Sequence, residues 1–131
     1  MAIEADLNTL KTEVVDCYRR YLDAFLADDV NAIDALIRYP LTYIGDGDVR
    51  TFDSYPIKPS DLMREKGWHT SAGLEYEVVG ISRTKAHVIL RSGARLREDG
   101  SKIEDIFAFY AWTRTDDGWK MFAVSDIVVP A

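Results

Sequence analysis

Cysteine and histidine are scarce in this chain of 131 residues, which has one cysteine, Cys17, and two histidines, His69 and His87. A lone cysteine closes no internal disulfide, and Cys17 has no partner at zinc-site spacing. It lies on a helical pattern beside Tyr18, where a small buried apolar side chain is expected. Two histidines without carboxylates at ligand spacing do not make a metal site. Basic residues are outnumbered: 16 Lys+Arg stand against 22 Asp+Glu, a formal charge of −6. That balance argues against a nucleic-acid partner, whose phosphates are neutralised by Lys and Arg. No apolar run approaches the roughly 20 residues needed to span a bilayer. The first six residues, Met1 to Asp6, are acidic and lack the basic and apolar regions of a secretory signal. A cytoplasmic protein with no membrane partner is the expectation. Missing as well are a phosphate-cradling glycine loop, a dinucleotide fingerprint and a Ser/His/Asp motif. Gly45-Asp46-Gly47-Asp48 has the look of a calcium loop, but Ile57 stands where its closing glutamate should be. It is read as a turn, and no cofactor or metal is expected.

What is present is an ordinary globular balance, 47% hydrophobic and 29% charged. A chain of this size buries roughly two-thirds of its unfolded surface, which supports one core and a single domain over residues 1–131. Leu7, Leu10, Val14, Tyr18, Tyr21 and Phe25 recur at steps of three and four, one stripe of a first helix. Asp29 is placed to cap a second helix through Val30, Ile33, Ile37 and Arg38, which Pro40 would end. A hairpin follows, Leu41 to Ile44 and Val49 to Phe52 around the Gly45–Asp48 turn. Ser60 is placed to cap a short helix running to Gly67. From Gly73 the chain reads as a four-strand antiparallel meander. Helices segregated from antiparallel strands define an α+β fold.

Two-residue turns at Asp99-Gly100 and Asp116-Asp117 set the expected registers. They place Arg95 opposite Glu104, a favourable charge pair, with Arg91 opposite Ala108 and His87 opposite Trp112. On the next pair Ala111 faces Phe122, Phe109 faces Val124 and Phe107 faces Asp126. Alternation then assigns Val88, Leu90, Ser92, Ala94, Leu96, Asp105, Phe107, Phe109, Ala111, Phe122, Val124 and Asp126 to the core face. The other face carries His87, Ile89, Arg91, Arg95, Glu104, Tyr110, Trp112, Trp119, Met121, Ser125 and Ile127. Such a mixed face suits a partner subunit, so a homodimer through the outer sheet face is expected.

This order of elements resembles the nuclear transport factor 2-like superfamily, which includes ketosteroid isomerase and SnoaL-like polyketide cyclases. The resemblance rests on Tyr18-Arg19-Arg20-Tyr21-Leu22-Asp23-Ala24-Phe25, on Asp28 to Leu36, and on the closing hairpin from Tyr110 to Met121. It implies a cone: a strongly curved, mainly antiparallel sheet wrapped around the N-terminal helix, with two shorter helices and a mostly apolar cavity. It also implies dimers through the convex face. The chemistry does not transfer residue by residue. Tyr43 and Ile44 stand where the isomerase carries its proton-shuttling aspartate, and Tyr110 or Ala111 where it has a hydrogen-bonding one. Ala123 and Ser125 take the places of histidines found in many relatives.

Asp105 and Asp126 are the leading candidates for chemistry. The expected register sets them diagonally on the core face among Phe107, Phe109, Val124 and Val128. A carboxylate dehydrated by aromatic neighbours becomes a general acid or base near neutral pH. His69, closing the short helix beside Trp68, is a candidate shuttle, and Tyr18 a candidate donor to a substrate oxygen. Tyr21, Tyr43, Trp68, Leu90, Phe107, Phe109, Phe122 and Val124 are the expected pocket wall. Two readings follow. In one, the cavity binds an apolar, cyclic or carboxylated small molecule, and a buried carboxylate supports cofactor-free isomerisation, cyclisation or dehydration. In the other, the aromatic run Phe107 to Trp112 plugs the cone, leaving a non-catalytic binding or dimerisation module. A cavity under roughly 300 Å³ would favour the second.

Overall fold

The computed structural model describes residues 2–130. Helix α1 (Ala2–Leu26) leads to α2 (Val30–Asp34), then the hairpin β1 (Ile37–Ile44) and β2 (Val49–Phe52), and α3 (Pro59–Lys66). The remainder is β3 (Thr70–Ile81), β4 (Lys85–Leu96), β5 (Lys102–Asp105), β6 (Ala108–Thr115) and β7 (Gly118–Asp126). The strands form one sheet in the order β2-β1-β7-β6-β4-β3, and β5 pairs with β4 beyond the end of β6. Neighbours are antiparallel except β1 and β7, which run parallel. The outer strands β2 and β3 do not meet, so the curved sheet stays open. The architecture is α+β, as the sequence predicts. Among the described residues, no helix is long and apolar enough to cross a membrane.

The stripe on α1 does what its spacing requires. Leu10, Val14, Cys17, Tyr18, Tyr21 and Ala24 are buried, and the helix packs on β3, β7 and α2. Each such apolar side chain removed from water contributes about 1.5–3 kcal/mol. Asp29 caps α2, accepting from the Ala32 N–H at 3.1 Å. That helix stops at Asp34, however, and Ile37, Arg38 and Pro40 belong to β1. Ile37 pairs with Met121, then the ladder to β7 loses register until Thr42. Proline has no N–H to give a ladder, which accounts for the gap around Pro40. Helix α3 also starts differently from expectation. Its cap is Lys58 without a side-chain bond, and Pro59 fills the first turn, where the missing N–H is no loss.

Two extra residues decide which way the sheet's side chains point. On β4, Tyr76 pairs with Leu90 but Glu75 pairs with Ser92, which leaves Arg91 without an opposite number. The other flank agrees: Leu90 pairs with Ala108, yet Arg95 pairs with Glu104, one residue further along β4 than along its partner. On β7, Ala123 pairs with Ala111 and Met121 with Trp112, so Phe122 is the surplus residue. Each bulge reverses the alternation beyond it.

Several expected pairings are therefore corrected. Arg95 does face Glu104, but Ala108 faces Leu90 and Trp112 faces Ala86. Phe109 faces Ser125, Ala111 faces Ala123 and Ala108 faces Asp126. Tyr110, Trp112, Trp119 and Met121, assigned to the outer face, are core residues. Phe109 and Ala111, assigned to the core face, alternate with Tyr110 and Trp112 on the outer one, and Phe109 stacks on His87 at 5.1 Å. Phe122 leaves the inner face as the bulge residue. Beyond Arg91 the inward positions on β4 become Gly93 and Arg95, in place of Ser92, Ala94 and Leu96.

Candidate functional site

The wide end of the curved sheet, the C-terminal half of α1 and helix α3 enclose a cavity of about 520 Å³. Its walls are chiefly apolar: Leu22, Phe25 and Leu26 from α1, Leu62 from α3, Leu74 and Leu90 from β3 and β4, and Val124 from β7. Ile106, Phe107 and Ala108 close one side where the chain passes from β5 to β6. That junction is irregular because β4 changes partner there, with Ile106 N–H bonded to the Gly93 carbonyl at 2.8 Å.

A layer of phenols forms the floor. Tyr21 and Tyr55 hydroxyls share a hydrogen bond of 2.5 Å, and the Tyr21 ring lies edge-on to Tyr110 at 5.8 Å between centroids. Burial drives the Tyr21 phenol far above its ordinary value, and the nearby Tyr55 and Tyr110 add to the rise. Tyr110 and Tyr55 are raised as well, in both cases first by burial. At neutral pH these groups are uncharged hydroxyls, able to donate or accept. Tyr18 sits beneath this layer, with no exposure, packed on Tyr76, Tyr110 and Trp112. It does not line the cavity.

The charged end is built by β4, β5 and α3. The Arg91 bulge turns Arg95 inward, and its Nη1 donates to Glu104 Oε2 at 2.5 Å. Lys66 Nζ, in the last turn of α3, donates to both Glu104 oxygens at 2.9 Å. Burial pushes the Glu104 carboxyl up, but the bonds from Lys66 and Arg95 outweigh it and hold the group below its ordinary value. The Arg95 side chain is 17% exposed, and its Nε is buried with no hydrogen-bond partner. Its charge works on the phenols of Tyr43, Tyr55 and Tyr110, opposing the upward effect of burial.

The two candidate carboxylates lie at the cavity's edge but not as a pair. Asp105 sits on β5 opposite Ala94, and Asp126 sits on β7 opposite Ala108. Neither is buried: β5, which ends at Asp105, pairs with β4 alone, and Asp126 is the last residue of β7. Asp105 is bonded to Lys102 at 3.1 Å and its side chain is 55% exposed. Asp126 accepts a hydrogen bond from the Tyr43 hydroxyl. Burial, then that bond and the charge of Asp126, push the Tyr43 phenol up to about 12. The dehydrated carboxylate expected from the sequence is not found among the described residues.

Other expected site residues divide in the same way. Tyr21, Tyr43, Leu90, Phe107 and Val124 line the cavity. Phe109 and Phe122 do not, since the two bulges turn them away. Trp68 is buried behind Phe25, at 5.4 Å between centroids, rather than at the surface of the cavity. His69 is exposed, and its backbone N–H donates to the Leu96 carbonyl. Tyr55, read from the sequence as pocket wall or rim, lines the cavity, whereas Arg95, Glu104, Lys66 and Tyr110 are not marked as site residues by the sequence pattern. The Arg95–Glu104 pairing was a usable signal for them. Its side of the sheet was not legible without the bulge. Among the described residues, no group of three or more His, Cys, Asp or Glu is arranged to hold a metal ion.

Residues 58–126 match the family described as NTF2-like protein (DUF6841). No curated protein sequence matches the chain. Among solved structures, it is similar to an NTF2-like protein with a cystatin-like fold from Novosphingobium aromaticivorans, at 15% identity and TM-score 0.68. That match covers 99% of this chain and 88% of the other. A proposed aromatic ring hydroxylase from the same organism matches at 17% identity and TM-score 0.64, covering 92% and 90%. A proposed ketosteroid isomerase from Shewanella frigidimarina matches at 10% identity and TM-score 0.62, covering 88% and 95%. At these identities the likeness establishes the cone fold.

Proposed function

The chain belongs to the NTF2-like proteins of the DUF6841 family, and on that footing we propose that it binds a compact, apolar, cyclic small molecule. The observation that carries this reading is the cavity itself. Its volume of about 520 Å³ lies within the roughly 300–1,000 Å³ of ordinary ligand sites. Apolar walls with a few convergent polar groups at one end are the usual make-up of such sites. The aromatic run expected to plug the cone, Phe107 to Trp112, leaves this space open: Phe107 and Tyr110 line it, Trp112 packs in the core, and Phe109 points elsewhere. Membership alone does not decide between carrier and enzyme, since one fold hosts many functions.

Filling the cavity tests the proposal. Ala108 is buried and lines the wall, so Ala108→Phe projects a ring into the space. With 2-naphthylmethanol as probe, calorimetric titration should show binding to the wild type and a loss of at least about tenfold in the variant. Binding of equal strength in both would remove the cavity from the account.

Proton transfer is the second reading, and the orientation of Asp126 by Tyr43 favours it. A carboxylate held by a neutral phenol at a cavity edge is placed to take a proton from a bound carbon acid, with the phenols and Arg95 facing the developing oxyanion. Asp126→Asn should then abolish turnover of any substrate found while leaving its affinity within about threefold. Turnover by the variant at the wild-type rate would retire Asp126 as base. Dimerisation through the outer face, where Ile89, Phe109 and Phe122 are partly exposed, belongs to the same proposal, and sedimentation equilibrium reads it directly.

A further inference from the structure

Resting on the cavity reading above, we infer that the segment beyond β7, Ile127 to Pro130, is a strap that folds over a molecule held in the cavity. Apolar side chains left in water point to it. Among the described residues, the large ones are Leu26, Ile44, Val49, Met63, Val79 and Val128. Single exposed apolar side chains are ordinary. Leu26 and Val128 are set apart because, of these six, they alone line the cavity, and so they mark its mouth. Val128 is the most exposed of all, at 78%.

The ladder explains why this segment is loosely held. Asp126 pairs with Ala108, the first residue of β6, and Ser125 pairs with Ile44, the last residue of β1. Both neighbouring strands therefore stop where β7 stops, and the chain beyond has no strand to pair with. Side chains anchor it instead: Ile127 and Val129 are half-buried, with exposed Val128 between them. Ile127 and Val128 both reach the cavity lining. Three β-branched residues in a row before a proline favour a stiff, extended backbone. Ordering such a strip costs less conformational entropy than ordering a glycine- or serine-rich tail. Segments outside the hydrogen-bonded ladder open and close at low free energy, the property a lid requires. A bound apolar ring supplies the surface on which Val128 closes, and burial of its two methyl groups drives the closure.

2-Naphthylmethanol is fluorescent, so stopped-flow dilution of its complex reads the release rate. Val128→Ser should release it about three- to tenfold faster than the wild type, the scale of losing part of one apolar contact. Val128→Leu, which keeps that contact, should stay within about twofold. So should Val79→Ser, which alters an exposed valine away from the cavity lining. Each variant is first checked for a wild-type unfolding midpoint. At saturation with the probe, the heteronuclear NOE of the Val128 and Val129 amides should rise toward that of β7. Release from Val128→Ser at the wild-type rate, or an NOE that does not rise, overturns the strap and leaves the cavity reading standing. Equally fast release from Val79→Ser overturns it as well, because the effect would then not belong to the mouth. If the probe does not bind the wild type, both readings fall together.

Discussion

Tyr21 and Tyr55 are the residues on which the floor of the cavity depends. Their shared hydrogen bond is buried, so removing one hydroxyl strands the other away from water. Tyr21→Phe should therefore cost about 1–3 kcal/mol in urea denaturation. The double variant Tyr21→Phe/Tyr55→Phe should cost less than the two single changes added together, since no hydroxyl is left without its partner. Additive costs would show that the two hydroxyls do not depend on each other. At this scale the sequence was only partly legible. Tyr21 lies on the helical stripe and reads as a wall residue at once. Tyr55 reads as pocket wall or rim, but it precedes Pro56 in a loop with no period, so its full burial and its bond to Tyr21 are not legible locally.

The elements show where pattern reading succeeds and where it stops. Helix α1 and the Asp29 cap follow from spacing and side-chain chemistry, and the turn at Asp116-Asp117 sets correct pairings next to itself, whereas beside Asp99-Gly100 Leu96 pairs with Lys102 and the expected register returns at Arg95 and Glu104. Register was lost one strand length away, at Arg91 and Phe122, because a bulge adds a residue without any signature in composition. Everything beyond it then changes face, which is why strict alternation puts Arg95 outside and Phe109 inside. Helix α3 offers a test at the same scale. Gly67 ends it with φ 72°, its N–H donating to the Met63 carbonyl while the Trp68 N–H donates to that of Leu62, and so fixes the turn that presents Lys66 to Glu104. Gly67→Ala places a Cβ in the left-handed region and should destabilise by about 1 kcal/mol, measured by thermal unfolding. An unchanged midpoint would mean that the cap geometry carries no strain for alanine.

At the scale of the whole molecule, an open curved sheet and one long helix leave a cavity because their inner faces diverge toward the end of α1. The family's cone was legible from element order, and its apolar interior from the stripe of α1. The charged end was not, since it depends on a bulge, on the irregular passage from β5 to β6, and on α3 reaching across to Glu104. The central claim is that this interior takes up an apolar small molecule. Isotope-filtered NOE spectroscopy of the protein with 2-naphthylmethanol tests it most directly. The account predicts contacts between the naphthyl protons and the methyl groups of Leu74, Leu90 and Val124, all on the cavity wall. Contacts confined to the exposed methyl groups of Val49 and Val79, with none from that wall, would contradict it.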